Sequence, residues 1–156
     1  MKFDASIDRD ANRQVISSNE AFKLESTWTF VAGTTGAVAA HTLFTVTGNV
    51  LVSVFGVCDT TLTSGGANTI EAGVTGNTAA LIAQSVGASL ADGEIWVDAT
   101  MTRVGVGVVP SMQVLNDGND IILTIGTATL TAGVVDFYCL WRPLSSDGLI
   151  TVTTPA

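Results

Sequence analysis

Apolar and small polar residues alternate in short bursts along most of this chain, and Gly, Asn and Ser separate the bursts. Thr27, Trp28, Thr29, Phe30 and Val31 show the period of two expected of a strand with one buried face. Gly33 and Gly36 then mark a turn. Residues 41–47 are β-branched and aromatic, and Gly48 with Asn49 behind them predicts a tight hairpin into a nearly continuous apolar strand at 50–58. A second hairpin is predicted from 68–74 and 78–84 across 75–77, followed by a looser stretch at 87–93 and a short strand around Trp96 at 94–98. Residues 103–109 alternate Val with Gly, which predicts a strand with one bare face for close approach of a neighbouring backbone. Pro110 ends it. Residues 112–115 and 120–126 read as a further hairpin across 116–119, and 134–141 and 149–153 supply the last strands. About eight to ten short strands at this spacing, with no convincing helix, predict an all-β fold: a two-sheet antiparallel sandwich, jelly-roll-like.

The first 25 residues break the pattern. They hold five acids and four bases, no glycine, and apolar positions such as Ile7, Val15 and Ile16 that are too scattered to dock a helix. Ser18 could cap a single helical turn, but an extended N-terminal arm is the better reading. The chain thus divides into an arm, 1–25, and a β-sandwich domain, 26–156.

Composition sharpens this picture. Apolar residues make up 47% and charged residues only 13%, about half the usual charged share. A surface so poor in charge favours contact with other protein chains. The net charge is −8, and beyond residue 25 the only bases are Arg103 and Arg142. An acidic body without a basic stripe repels phosphate backbones, so nucleic acid is not an expected partner. Apolar runs fall short of the roughly 20 residues of a membrane helix, and the first residues lack the apolar stretch of a secretion signal. Cys58 and Cys139 sit in apolar runs without CxxC spacing and read as buried free thiols.

Little in the sequence points to catalytic or metal-binding chemistry. His41, the sole histidine, has no nucleophile signature around it. Cys58, Cys139, His41 and a carboxylate contain no close pair of the kind a zinc site uses. Asp92, Glu94 and Asp98, and Asp117 with Asp120, offer oxygens that Ca²⁺ prefers, but Asp-Gly and Asn-Asp-Gly steps are first of all turn formers. Gly105 and Gly107 lie inside a strand pattern rather than in a phosphate loop. Trp28, Trp96 and Trp141 are scattered singly, unlike the aromatic lining of a sugar-cleaving cleft. No enzyme and no cofactor is expected.

Residues 41–50, the strand ending at Cys58, residues 76–84 and residues 136–144 resemble small structural proteins encoded in tailed-phage and prophage genomes. The resemblance spans about residues 26–150 and rests on packing patterns, not on an active site. It implies a head decoration (cement) protein made in the host cytoplasm and carried on the outer capsid surface of the virion. It further implies a homotrimer whose main partner is the major capsid protein. On that expectation Arg9, Arg13 and Lys23 serve capsid contact, and Trp96, Val104, Val106 and Val108 serve subunit contact. A tail or fibre component and a carbohydrate-binding module are the competing expectations.

Overall fold

A computed structural model describes residues 21–101 and 104–154. Its elements are β1 (Phe22–Thr29), β2 (Ala39–Thr47), β3 (Val50–Ser64), β4 (Thr69–Val74), β5 (Asn77–Val86), a 3₁₀ turn (Gly87–Ser89), β6 (Ile95–Trp96), β7 (Gln113–Leu115), β8 (Ile121–Gly126), β9 (Leu130–Pro143) and β10 (Leu149–Val152). They form two antiparallel sheets. The first runs β1-β9-β3-β6, with β7 also on β3; the second runs β10-β2-β8-β4-β5. The pairs nest: β1 with β9, β2 with β8, β3 with β6 and β7, β4 with β5. A ribbon wound so that its first strand meets its last is a jelly roll, and β10 extends it beside β2.

Alternation along each strand builds the core. In β9, Val135, Phe137, Cys139 and Trp141 are buried, while Asp136, Tyr138, Leu140 and Arg142 between them are half-exposed. In β2 two neighbours, Leu43 and Phe44, are both buried, which a strict period of two forbids. The register against β8 shifts between Thr42 and Phe44, and this irregularity turns both side chains inward. Leu43, Phe44, Leu123 and Ile125 of the second sheet join Val52, Val54, Trp96 and Phe137 of the first in one core. Each such side chain contributes about 1.5–3 kcal/mol on full burial.

Several sequence expectations are corrected. The hairpin across 75–77 forms, joining β4 to β5, but those at Gly48 and at 116–119 do not. Both segments are corners at which the chain passes from one sheet to the other. Gly48 has φ +63°, and its N–H donates to Asp117 Oδ1 at 2.8 Å. A Cβ at that position would lie 2.6 Å from Asp147 Oδ1, so the corner needs glycine both for its backbone and for space. The first strand also starts earlier than expected. β1 pairs with β9 from Phe22 opposite Trp141 to Thr29 opposite Val134, so residues 22–25 belong to the sheet rather than to an arm.

Residues 104–109 are not a strand. Gly105 has φ +73°, and the segment's ladder contact is a single bridge, Val104 to Glu94. β6 pairs with Gly56 and Val57 of β3, while β7 pairs with Val50, Leu51 and Val52. The chain between them therefore leaves the sheet edge and returns to it.

Candidate interaction surface

The outer face of the first sheet carries the features that distinguish this jelly roll. Phe55 of β3 stands opposite Tyr138 of β9, with Glu25 of β1 beyond it. The two rings stack with centroids 5.3 Å apart and planes 20° apart. Strands are spaced about 4.8 Å, so the stacking axis runs across the sheet and the rings stand upright on it, edges outward. Lys23 Nζ lies 5.4 Å from the Tyr138 centroid and 3.0 Å from Glu25 Oε2. Thr27 donates to Asp136 Oδ1 at 2.6 Å. Burial, then the Glu25 and Asp136 carboxylates, push the Tyr138 phenol above its ordinary value.

Beside this row lies a shallow apolar groove of about 70 Å³ lined by Phe55, Ile95, Gly107, Val108 and Val109. Gly107 packs closely there, since a Cβ would sit 3.0 Å from the Ile95 side chain. Ser53 Oγ donates to the Pro110 carbonyl at 2.7 Å and fastens the end of the segment to the sheet. The valines before it project outward: Val104 is 69% exposed, Val106 81% and Val108 71%. Residues 104–112 contain no charged side chain. Four exposed valines in six residues form an apolar strip on a protein of net charge −8.

The expected contact residues separate. Val104, Val106 and Val108 are available at the surface, although on an irregular segment. Trp96 is not: it is 0% exposed, meets Phe137 edge-on at 6.2 Å, and donates its indole N–H to Ser85 Oγ at 3.0 Å. Its assignment to a subunit contact is therefore withdrawn; the short strand β6 turns it into the core. Lys23 lies on the exposed face of β1, on the row just described. Arg9 and Arg13 lie outside the described residues. Phe55 and Tyr138 carried no signal in the sequence, because pairing across more than 80 residues leaves no local mark.

His41 and several acids of the turns have structural partners. His41 Nε2 is 3.0 Å from the Ala37 carbonyl, and the ring meets Trp28 edge-on at 5.5 Å. The acids of the turns accept backbone N–H groups: Asp117 from Gly48 and Asp120 from Val46, each at 2.8 Å, Glu94 from Ala91 at 2.8 Å, and Asp98 from Thr100 at 2.7 Å. Among the described residues no group of three or more His, Cys, Asp or Glu side chains gathers that could hold a metal ion. Cys58 and Cys139 are free and buried. Burial lifts the Cys139 thiol to about 12; burial, aided by Asp92, lifts Cys58 to about 11. Among the described residues no helix is long and apolar enough to cross a membrane. No protein-family model matches the chain, and no curated protein or solved structure is significantly similar to it.

Proposed function

We propose that this chain is a structural protein of a phage virion, a head decoration protein that assembles with copies of itself and clamps the outer surface of the major capsid protein shell. The observation that carries this reading is the charge-free valine strip at 104–109, exposed on an otherwise acidic sandwich. Copies bearing eight net negative charges each repel one another at long range. Contact is least opposed where no charge stands, and there apolar area leaves water at about 25 cal/mol per Å². The strip thus serves homotrimer contact through Val104, Val106 and Val108. Capsid contact falls to Arg9 and Arg13 of the N-terminal segment and to Lys23 on β1. Several such segments engaged at once raise avidity without new contacts in any one of them.

A carbohydrate-binding reading would draw on the Phe55–Tyr138 pair. Sugars stack on ring faces, and here the faces are turned toward each other, toward Lys23 and toward the groove, which argues against that reading. The test is solution mass by light scattering, followed by sedimentation with purified phage heads and, separately, tails. A trimer that cosediments with heads, and loses them when Arg9 and Arg13 are changed to Ser, supports the proposal. Binding to tails alone would replace it with the tail-component reading; a monomer that binds neither would overturn it.

A further inference from the structure

Three Asp-Gly steps occur in this chain: Asp92-Gly93, Asp117-Gly118 and Asp147-Gly148. Glycine has no Cβ to shield its main-chain nitrogen, so in an unfolded chain all three nitrogens can swing onto the carboxyl carbon before them. The fold treats the three differently. Gly93 donates its N–H to the Cys58 carbonyl at 2.8 Å, and Gly148 donates to the Ser145 carbonyl at 3.0 Å. A nitrogen held in this way is released only by local opening. Both glycines are also half-buried, and a Cβ at Gly148 would lie 2.7 Å from the Asn49 carbonyl oxygen. Gly118 differs on each count. It is exposed, a Cβ there would meet nothing within 4 Å, and among the described residues its N–H has no acceptor. Asn119 donates its N–H to the Asn116 carbonyl at 3.2 Å, which puts Asp117 and Gly118 at the centre of an exposed turn. Asp117 Oδ1 accepts the Gly48 N–H at 2.8 Å, and that bond draws electron density from Cγ.

We propose that Asp117-Gly118 is a site of spontaneous isoaspartate formation, and that folding confines the reaction to this one of the three steps. The Gly118 nitrogen bonds to Asp117 Cγ and gives up its proton. One carboxyl oxygen departs with that proton and the acid proton as water, which leaves a five-membered succinimide. A second water opens the ring. Attack at Cγ restores aspartate, whereas attack at the α-carbonyl leaves the main chain running through Cγ, as isoaspartate. Water leaves and water returns, so no oxidant or reductant takes part and the mass is unchanged. The ring removes the carboxylate that holds the Gly48 N–H, and isoaspartate lengthens the main chain by one atom. Gly48 turns the corner between β2 and β3, so the modification loosens a crossing from one sheet to the other. The inference stands on the turn alone and is independent of the capsid reading.

The test incubates the full chain, folded and in denaturant, in warm, mildly acidic buffer until the denatured sample has isomerised. Circular dichroism follows the fold throughout. Isoaspartate is assigned to each step by peptide mapping, and its amount is read by enzymatic methylation of the isoaspartyl carboxylate. The denatured chain is expected to react at similar rates at all three steps. In the folded chain Asp117 is expected to lead Asp92 and Asp147 about tenfold or more, because the other two must open first. Amide exchange at Gly48 is expected to rise in the modified fraction. Equal rates at the three steps of the folded chain, or a lead by Asp92 or Asp147, would overturn the proposal. So would a folded chain in which Asp117 stays unmodified while the denatured chain reacts.

Discussion

Replacing Val104, Val106 and Val108 together with Ser tests the role of the strip most directly. Full burial of a valine is worth about 1.5–3 kcal/mol, and at 69–81% exposure most of that is still unrealised in a single copy. Each valine then has about 1–2 kcal/mol to give on contact, and the three together about 3–6 kcal/mol per subunit. At 1.4 kcal/mol per factor of ten, the triple variant weakens assembly by about 10²- to 10⁴-fold. The fold itself should barely respond, since substitutions at exposed positions away from the core stay within about 0.5 kcal/mol. Light scattering over a concentration series, beside thermal unfolding of the dissociated protein, reads both quantities. The expected result is a dissociation midpoint raised at least a hundredfold, with the monomer's unfolding unchanged. An assembly whose mass is insensitive to the triple substitution would refute the argument. So would a monomer destabilised by several kcal/mol, because the valines would then be holding the sandwich rather than its neighbours.

Trp96→Ala should show the opposite signature: about 3–5 kcal/mol lost in denaturant unfolding, through the cavity beside Phe137 and the loss of the indole's bond to Ser85, while any assembly that still folds keeps its mass. The thiols predict an alkaline limit. Their pKa values rise on folding from 9.0 to about 11 in Cys58 and about 12 in Cys139. The folded state therefore disfavours the thiolates, so this contribution to stability is full below pH 9 and lost progressively between 9 and 12. Cys58→Ala/Cys139→Ala should flatten that part of a stability–pH curve, and an unchanged alkaline slope would show that other groups set it.

The strands were legible in the sequence where a period of two ran uninterrupted, as around Val135 to Trp141, or where turn residues marked a local hairpin, as between β4 and β5. Legibility failed where local chemistry has two uses. Gly48 with Asn49 reads as a hairpin, but the same left-handed glycine also turns a corner between sheets; only the distant Asp117 and Asp147 decide which. Phe22, Lys23, Leu24 and Glu25 already alternate, yet their charge made them look like part of a tail. The Val and Gly alternation of 103–109 promised a strand, whereas Gly105 takes a positive φ and the adjoining edge of β3 is held by β6 and β7. Trp96 stands in a two-residue strand flanked by polar loops, and nothing near it in sequence announces Phe137 or Ser85. The valines of the strip could be named from sequence because their chemistry is local. The Phe55–Tyr138 row could not, because it exists only once two remote strands are in register.

The nested pairing also governs when this protein can come into being. β1 is held in its sheet by β9, and Thr27 bonds to a carboxylate 109 residues away. Of the nested pairs only β4 with β5 is a local hairpin. At the roughly 10 residues per second of ribosomal synthesis, β1 waits about ten seconds for its neighbour to emerge. Meanwhile the long apolar strand β3 is without β9 as well. Topologies dominated by such remote contacts fold in about milliseconds to seconds, slowly for their size. The growing chain is thus a client for chaperones until nearly its last strand has been made, and a message cut short anywhere before β9 yields an aggregation-prone fragment rather than a smaller working protein.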